Sequence, residues 1–264
     1  KERLKRVDIV LEIRDARSPL TTGNTAVHEA IGEKSVLIVF NKTNLADPKV
    51  VAKWEEWFAT KPTPFIFINA FDKSSLKKIT ENAKKIVHAK RLQSNPEGVT
   101  KTDLKMMIIG LPNTGKSTII NKLANRNATK AADRPGLTQQ QLWVKVDSEM
   151  QVLDTPGVMP PKIDNYKHGL WLAALHCIPK TIVKHEDSAC FIIQHLLDLK
   201  SEYLKNHYKM ETIDTGLVGA LNQIAKSRGC VRHKGEFDYD RVYNMVLNDF
   251  RSGLHYSECG CNIV

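Results

Sequence analysis

The sequence has few cysteines, and their spacing is typical neither of a metal site nor of the disulfide cross-links of a small secreted domain. The five are Cys177, Cys190, Cys230, Cys259 and Cys261, and no two of them form a Cys-x-x-Cys pair. Structural zinc sites and disulfide frameworks need closer and more regular spacing than this. We therefore expect free thiols in a reducing compartment and assign no metal to the cysteines.

Long apolar runs, internal repeats and low-complexity tracts are also absent. No stretch approaches the ~20 apolar residues of a membrane-spanning helix, and no signal peptide is visible, so we expect no membrane span. The chain opens on Lys1 without an initiator methionine, from which we expect that a segment upstream is missing. Its 264 residues, 42% of them hydrophobic, are enough for one large or two modest globular cores.

Acidic residues are scarce in the first two-thirds of the chain. The formal net charge is +10, and the part from Lys184 onward holds ten Lys and Arg against eleven Asp and Glu, so the preceding part carries +11. Such an excess predicts an acidic partner, for which nucleic acid is the leading candidate. A charged surface that only aids solubility would explain the same composition.

One stretch has the pattern of a phosphate-binding loop. Residues 110–117 read GLPNTGKS and follow an apolar strand-like run, which fits G-x-x-x-x-G-K-[ST]. In such a loop the backbone N–H groups and the start of the next helix face the phosphates, here Asn113, Thr114, Gly115 and Thr118. Lys116 reaches the terminal phosphates and Ser117 holds Mg²⁺. The alternative is a glycine-containing turn before a surface helix.

Strands alternate with helices up to about residue 153, and only helices follow. This order predicts βαβ units with a mostly parallel sheet, then a smaller α-helical domain, with boundaries of 1–180 and 181–264. Predicted strands cover 7–13, 35–40, 64–68, 104–109, 142–146 and 151–153. Predicted helices cover 75–92, 118–125, 167–176, 187–206, 217–227 and 239–251.

Three further motifs complete a GTP-binding pattern in an unusual order. NKTN at 41–44 would face the base, Thr138 lies in an irregular loop, and DTPG at 154–157 ends a strand. Asp154 lies 37 residues after Ser117, where a carboxylate can hold a Mg²⁺-bound water, and the Gly157 N–H can contact the γ-phosphate. The base motif precedes the phosphate loop, whereas Ras-like proteins place it after. We therefore predict a circular permutation of the Ras-like fold.

In this order the motifs resemble the YlqF/RbgA family of circularly permuted GTPases and its mitochondrial relatives. The likeness rests on VDIVLEIRDAR at 7–17, NKTNLAD at 41–47, GLPNTGKSTIINKLA at 110–124, DRPGLTQQQLWVKV at 133–146 and LDTPGVMPPK at 153–162. It implies a GTPase that assists assembly of the large ribosomal subunit, with GTP or GDP and Mg²⁺ bound. It also implies a helical domain that contacts rRNA, on a protein that acts as a monomer on the ribosome.

The resemblance also implies roles for single residues. Thr138 would join Mg²⁺ when the γ-phosphate is present, and Asn69 and Ala70 would lie at the base, with the Ala70 N–H offered to guanine O6. Asn113 stands where related cation-activated GTPases coordinate K⁺. It is equally possible that Asn113 binds no K⁺ and stands there only because asparagine tolerates the loop's backbone conformation.

The chain departs from the family pattern at three points. Asn44 stands where the base motif normally has aspartate, so one guanine donor would face an amide N–H₂. Val158 stands where Ras-type enzymes place a water-orienting glutamine, so we expect slow intrinsic hydrolysis. The family's histidine for that task falls before Lys1, which leaves the catalytic residue unknown. A binding module with weakened turnover or relaxed guanine specificity is the alternative function, while a small-molecule kinase would not account for the base motif.

Two basic clusters are candidate RNA contacts. One lies on the predicted helix 75–92, and the other is a basic patch in the otherwise slightly acidic C-terminal part. They comprise Lys77, Lys78, Lys84 and Lys85 in the first and Arg228, Arg232 and Lys234 in the second. From the chain start and Asn44 we expect the mitochondrial matrix, with the bacterial cytoplasm as the alternative.

Overall fold

A computed structural model describes residues 3–24, 29–95, 103–124, 143–157, 159, 163, 165–233 and 235–253. The chain forms two compact units. The first comprises Lys1–Asn44 and Val51–Lys162, and the second comprises Leu45–Val50 and Ile163–Val264. The division after Lys162 falls earlier than the predicted boundary at 180, because the helix that follows it packs within the C-terminal unit.

The first unit is built on a six-stranded sheet. Its strands are β1 (Ile9–Asp15), β2 (Ser35–Asn41), β3 (Phe65–Phe67), β4 (Leu104–Gly110), β5 (Trp143–Lys145) and β6 (Met150–Leu153). The order across the sheet is β3-β2-β1-β4-β6-β5, and every neighbouring pair is parallel except β5 with β6. The predicted mostly parallel α/β sheet is confirmed.

Both faces of the central strands are buried, which explains why their sequences are almost continuously apolar. Ile9, Leu11 and Ile13 of β1 belong to one hydrophobic cluster, and Val10 belongs to another together with Met107 of β4. Three helices accompany the sheet: α1 (Pro48–Ala59), α2 (Lys73–Ser94) and α3 (Lys116–Leu123). Of the three aromatic residues of α1, Trp54 and Phe58 are buried, whereas Trp57 is 40% exposed.

The chain path changes direction between β1 and β4. From β1 the strands proceed outward to β2 and β3, and β4 then returns to the other side of β1. In open parallel sheets, the carboxyl edge at such a switch point forms a crevice where ligands bind. The loops after β1 and β4, which begin at Ala16 and Leu111, therefore lie beside each other at this crevice.

The second unit is helical, as predicted. Its helices are α4 (Tyr166–Ala174), α5 (His185–Asp198), α6 (Glu202–Tyr208), α7 (Leu217–Ser227) and α8 (Tyr239–Ser252). The indole of Trp171 in α4 lies edge-on to Phe191 in α5, with ring centroids 5.0 Å apart, and 6.0 Å from Phe250 in α8. These contacts place α4 in the C-terminal unit.

The predicted single helix over 187–206 is wrong, because the chain breaks into α5 and α6. Lys200 adopts a left-handed conformation with φ of 51°, and the Ser201 N–H donates back to Leu196 O at 3.0 Å. A left-handed residue at a helix end satisfies the last carbonyl groups and stops the helix. Among the described residues, no helix is both long enough and apolar enough to cross a membrane.

Candidate functional site

The loop after β4 curls tightly and leads directly into α3. Gly115 caps the helix with φ of 100°, and Asn113 is also left-handed, with φ of 58°. A Cβ on Gly115 would collide with the amide of Asn41, and one on Gly110 would collide with Ile13 O. Both glycines are therefore required by the close approach of neighbouring backbone or side-chain atoms, from β1 at Gly110 and from Asn41 at Gly115. The left-handed backbone by itself accounts for asparagine at 113, since Asn tolerates this region better than most residues.

Lys116 lies inside this loop, with 8% of its surface exposed. Its ammonium group donates to Leu111 O at 2.7 Å, and the hydroxyl of buried Thr114 donates to the same carbonyl at 3.0 Å. The acceptor carbonyl is uncharged and does not neutralise the ammonium, so the loop encloses a cation beside the start of a helix. Both features favour an anionic ligand such as phosphate.

Two residues at the end of β2, Asn41 and Lys42, bond to the phosphate loop. The Asn41 amide donates to Thr114 O at 3.0 Å and accepts from the Ala70 N–H at 3.1 Å, so one side chain joins three segments. The Lys42 ammonium donates to Asn113 O at 2.5 Å and lies 3.0 Å from the Asp15 carboxylate. The predicted base motif and phosphate loop are therefore brought together at the carboxyl edge of the sheet.

Asp15, at the end of β1, holds Lys42 in place through a buried group of charges. Its side chain is fully buried, and the Arg17 guanidinium donates to both of its oxygens, at 2.7 and 2.6 Å. Burial alone would raise the pKa of Asp15, but the charges of Arg17 and Lys42 outweigh it and hold the pKa far below its usual range. A buried ion triad therefore fixes Lys42 against the phosphate loop.

Asp154 and Gly157 follow β6 and border the same loop. A Cβ on Gly157 would lie only 2.9 Å from Pro112 Cγ, which places the DTPG turn directly against the phosphate loop. The Thr155 hydroxyl donates to Ile108 O in β4 at 2.5 Å and fixes the turn to the sheet.

The Asp154 carboxylate fits a metal-binding role. Its Oδ1 is buried with no hydrogen-bond partner, and burial raises its pKa while the charge of Lys116 opposes that rise. A buried carboxylate oxygen without a donor favours a nearby cation. A carboxylate, and the hydroxyl of Ser117 in the first turn of α3, are oxygen ligands of the kind that Mg²⁺ prefers.

The three candidate base contacts besides Asn41 and Lys42 lie on two loops. Asn44 is exposed in a short 3-10 helix, Thr43–Leu45, which begins directly after Lys42. The Asn69 side chain accepts from the Phe71 N–H at 3.0 Å, so it shapes its own loop. The Ala70 N–H is bonded to Asn41, and a contact with guanine O6 would have to share that donor.

The predicted RNA contacts differ in how far their charges are neutralised. On α2, Lys77 lies 3.6 Å from Glu81 and Lys84 lies 3.7 Å from Glu149, and Lys78 and Lys85 are exposed. In the C-terminal patch, Arg232 pairs with Asp238 and with Asp240, at 3.3 and 2.9 Å, and Arg228 NH2 donates to His207 O. The lysine face of α2 is the less neutralised of the two. Thr138, Val158 and Lys234 lie outside the described residues.

The triad of Asp15, Arg17 and Lys42 is the part of the site that motif reading missed. A signal was present in the sequence, because charged residues interrupt an apolar run that otherwise reads as a fully buried strand. Glu12 and Arg14 in the same run are also buried and form an ion pair at 2.9 Å. Charges inside a buried strand are retained only when they are paired.

The parallel sheet, with the loop around Lys116 following β4 and the NKTN segment following the earlier strand β2, defines a circularly permuted P-loop GTPase. A family model described as "50S ribosome-binding GTPase" matches residues 105–226. Ribosome biogenesis GTPase A from Bacillus cereus is 37% identical over 252 residues, which cover 96% of this chain and 85% of that protein. The chain belongs to the ribosome biogenesis GTPase A family.

More distant relatives agree with this assignment. Mitochondrial ribosome-associated GTPase 1 from Bos taurus is 28% identical over 271 residues, covering 95% of this chain and 81% of that protein. The crystal structure of GNP-bound YlqF from T. maritima has the same fold, with a TM-score of 0.62 and 24% identity over 96% of this chain and 91% of that one. The predicted family and circularly permuted fold are confirmed.

Proposed function

We propose that this protein is a GTP-hydrolysing assembly factor that binds rRNA of the maturing large ribosomal subunit and leaves after hydrolysis. The observation that carries the proposal is the meeting of the phosphate loop, the NKTN segment and the DTPG turn at one edge of the sheet. Membership of the ribosome biogenesis GTPase A family supplies the ribosomal partner. Relatives occur in bacteria and mitochondria, and we propose the mitochondrial matrix for this chain.

Each side chain has a separate task in this proposal. Lys116, the N–H groups of 113–118 and the Gly157 N–H hold the phosphates, while Asn41, Lys42, Asn44, Asn69 and Ala70 form the base side. Ser117, Asp154 and Thr138 would hold Mg²⁺, which neutralises charge that develops on the phosphates. Asn113 is the candidate ligand for K⁺. The chain's own contribution is positioning and electrostatic stabilisation, which dominate phosphoryl transfer.

Hydrolysis by the isolated protein is expected to be slow and to accelerate on the large subunit. In phosphoryl transfer, a cationic group that a partner inserts into a GTPase site raises kcat by ~10³–10⁵-fold. Steady-state GTP hydrolysis should therefore rise by at least about tenfold when purified large subunits are added. Small subunits at equal concentration are the matched control. If the hydrolysis rate is the same without subunits, with small subunits and with large subunits, the result would instead support a binding module with weakened turnover.

Asn44 motivates the alternative of relaxed guanine specificity. Its N–H₂ could donate to the C2 carbonyl of xanthine, which guanine lacks, and a mismatched buried polar pair costs about 1–3 kcal/mol, or roughly ten- to a hundredfold in affinity. We expect Asn44→Asp to tighten GTP binding and weaken XTP binding by this factor in competition measurements.

A matched control is Asn206→Asp, the same chemical change at an exposed position of α6. It should change neither affinity. A strong preference of the wild type for GTP that Asn44→Asp leaves unaltered would show that Asn44 does not contact the base.

A further inference from the structure

A second concave site lies at the opposite edge of the sheet from the phosphate loop. A cleft of about 550 Å³ opens where β1, β2 and β4 begin, beside Asp8, Lys34 and Lys105, and the last turns of α2 form one wall. The seven-residue strand β1 separates the two edges by roughly 20 Å, at ~3.3 Å per residue. The cleft is therefore distinct from the nucleotide site and can be filled at the same time.

The cleft is strongly basic. Among the described residues that line the cleft, Asp8 is the single acidic one, and its two oxygens already accept from the Arg91 guanidinium at 3.0 Å and from the Lys105 backbone N–H at 2.8 Å. One carboxylate cannot balance the six cationic lining residues, so the cleft carries a positive potential that attracts anions. The six are Lys5, Arg6, Lys34, Lys90, Arg91 and Lys105.

Two of these cations are held in place without being neutralised. The Lys34 ammonium donates to Val7 O at 2.9 Å, and the Lys90 ammonium donates to Glu33 O at 2.7 Å. Both acceptors are uncharged carbonyl groups, so the bonds order the side chains and leave their charge intact. Side chains that are ordered before binding lose less entropy when a ligand arrives.

We propose that this cleft binds the phosphodiester backbone of RNA, an inference that rests on the proposed function. Further exposed lysines lie along α2 as far back as Lys77, thirteen residues and about 20 Å before Lys90 and roughly 140° round the helix from it. A polymer can contact the cleft and these lysines together, whereas a free phosphate cannot. Within the part of the chain that the structure describes, the apolar lining is Val7 and Val87 and includes no aromatic ring on which a base could stack, so the contacts would be to phosphates and independent of sequence.

The test compares two triple variants that remove equal charge. The cleft variant is Lys5→Gln, Arg6→Gln and Lys90→Gln, and the control is Lys53→Gln, Lys61→Gln and Lys122→Gln, all at surface positions of the same unit. Affinity for labelled polyuridylate and polyadenylate is measured across salt concentrations, with polyglutamate and inorganic phosphate as competitors. GDP binding checks that each variant is folded.

The cleft variant should bind both RNAs at least about tenfold more weakly, and the magnitude of its salt slope should fall by up to about two, since each cation that meets a phosphate of a single strand contributes about 0.7. The control should weaken binding clearly less. Equal effects of both variants, or displacement of RNA by polyglutamate or phosphate as readily as by unlabelled RNA, would overturn the cleft as an RNA site and leave the proposed function standing. If the wild-type protein binds RNA neither with GTP nor with GDP, both the cleft proposal and the proposed function are overturned.

Discussion

Lys116→Ala should lower the affinity for GTP by more than about tenfold in titration calorimetry. The ammonium is buried in the loop, and its bond to Leu111 O leaves the charge intact, so the substitution removes a fixed cation from beside the phosphates. Such preorganised charges are among the larger contributions to phosphate binding, because they act in a partly dry site and need no reorganisation.

The matched control is Lys122→Ala on the same helix. Lys122 lies in the last turn of α3, away from the phosphate loop, so its loss should leave GTP affinity within about twofold, which is less than about 0.5 kcal/mol. GTP affinity that survives Lys116→Ala in a protein that still unfolds cooperatively would mean that the loop does not hold the phosphates.

Asp15→Asn should lower the free energy of unfolding by about 3–5 kcal/mol. The substitution removes the Asp15 carboxylate and leaves the charges of Arg17 and Lys42 uncompensated. An uncompensated buried charge costs more free energy than the intact ion pair contributes. Denaturant unfolding measures the change. Asp8→Asn is the comparison, since Asp8 pairs with Arg91 at a more exposed site and its ion pair contributes about 1 kcal/mol or less. Equal costs for the two variants would contradict the role given to the triad.

The same triad predicts how stability varies with pH. The folded-state pKa of Asp15 lies below its ordinary value of 3.8, so the folded protein holds the deprotonated form more tightly than the unfolded chain does. The stabilisation is present in full above the unfolded-state pKa and is lost as the pH falls below it toward the folded-state value. Acid unfolding should therefore be shallower in Asp15→Asn than in the wild type over this range.

Much of the fold and of the site was predictable because their signals are local. Strands buried on both faces require apolar runs, and Lys116 with its flanking glycines forms a short pattern that the phosphate chemistry itself imposes. The order of NKTN and the phosphate loop was enough to predict the permutation. The predicted helix that was wrong breaks at Lys200, a residue with no helix-breaking tendency, so the local sequence did not mark the left-handed turn that ends α5.

The parts that sequence reading missed are nonlocal. Asp15 meets Lys42 only because β1 and β2 are neighbours in register, with Asp15 opposite Asn41. The basic cleft joins residues at or just before the starts of β1, β2 and β4 with the end of α2, and each of those segments by itself reads as ordinary charged surface. Such sites follow from strand order across the sheet, which composition and periodicity do not determine.

The position of β4 between β1 and β6 has a consequence for synthesis of the chain. β1, β2 and β3 emerge first, but β1 keeps an open edge of unpaired backbone groups until β4, which pairs with Ile9–Ile13, has also been made. Likewise, the Asn41 amide cannot donate to Thr114 O until that residue, 73 positions further along the chain, has been made. Domains form from the N-terminus as they are translated at ≈5–20 residues per second. The nascent protein therefore spends several seconds with its base-side loops made and its central strand uncovered, a period in which a chaperone that shields strand edges would act.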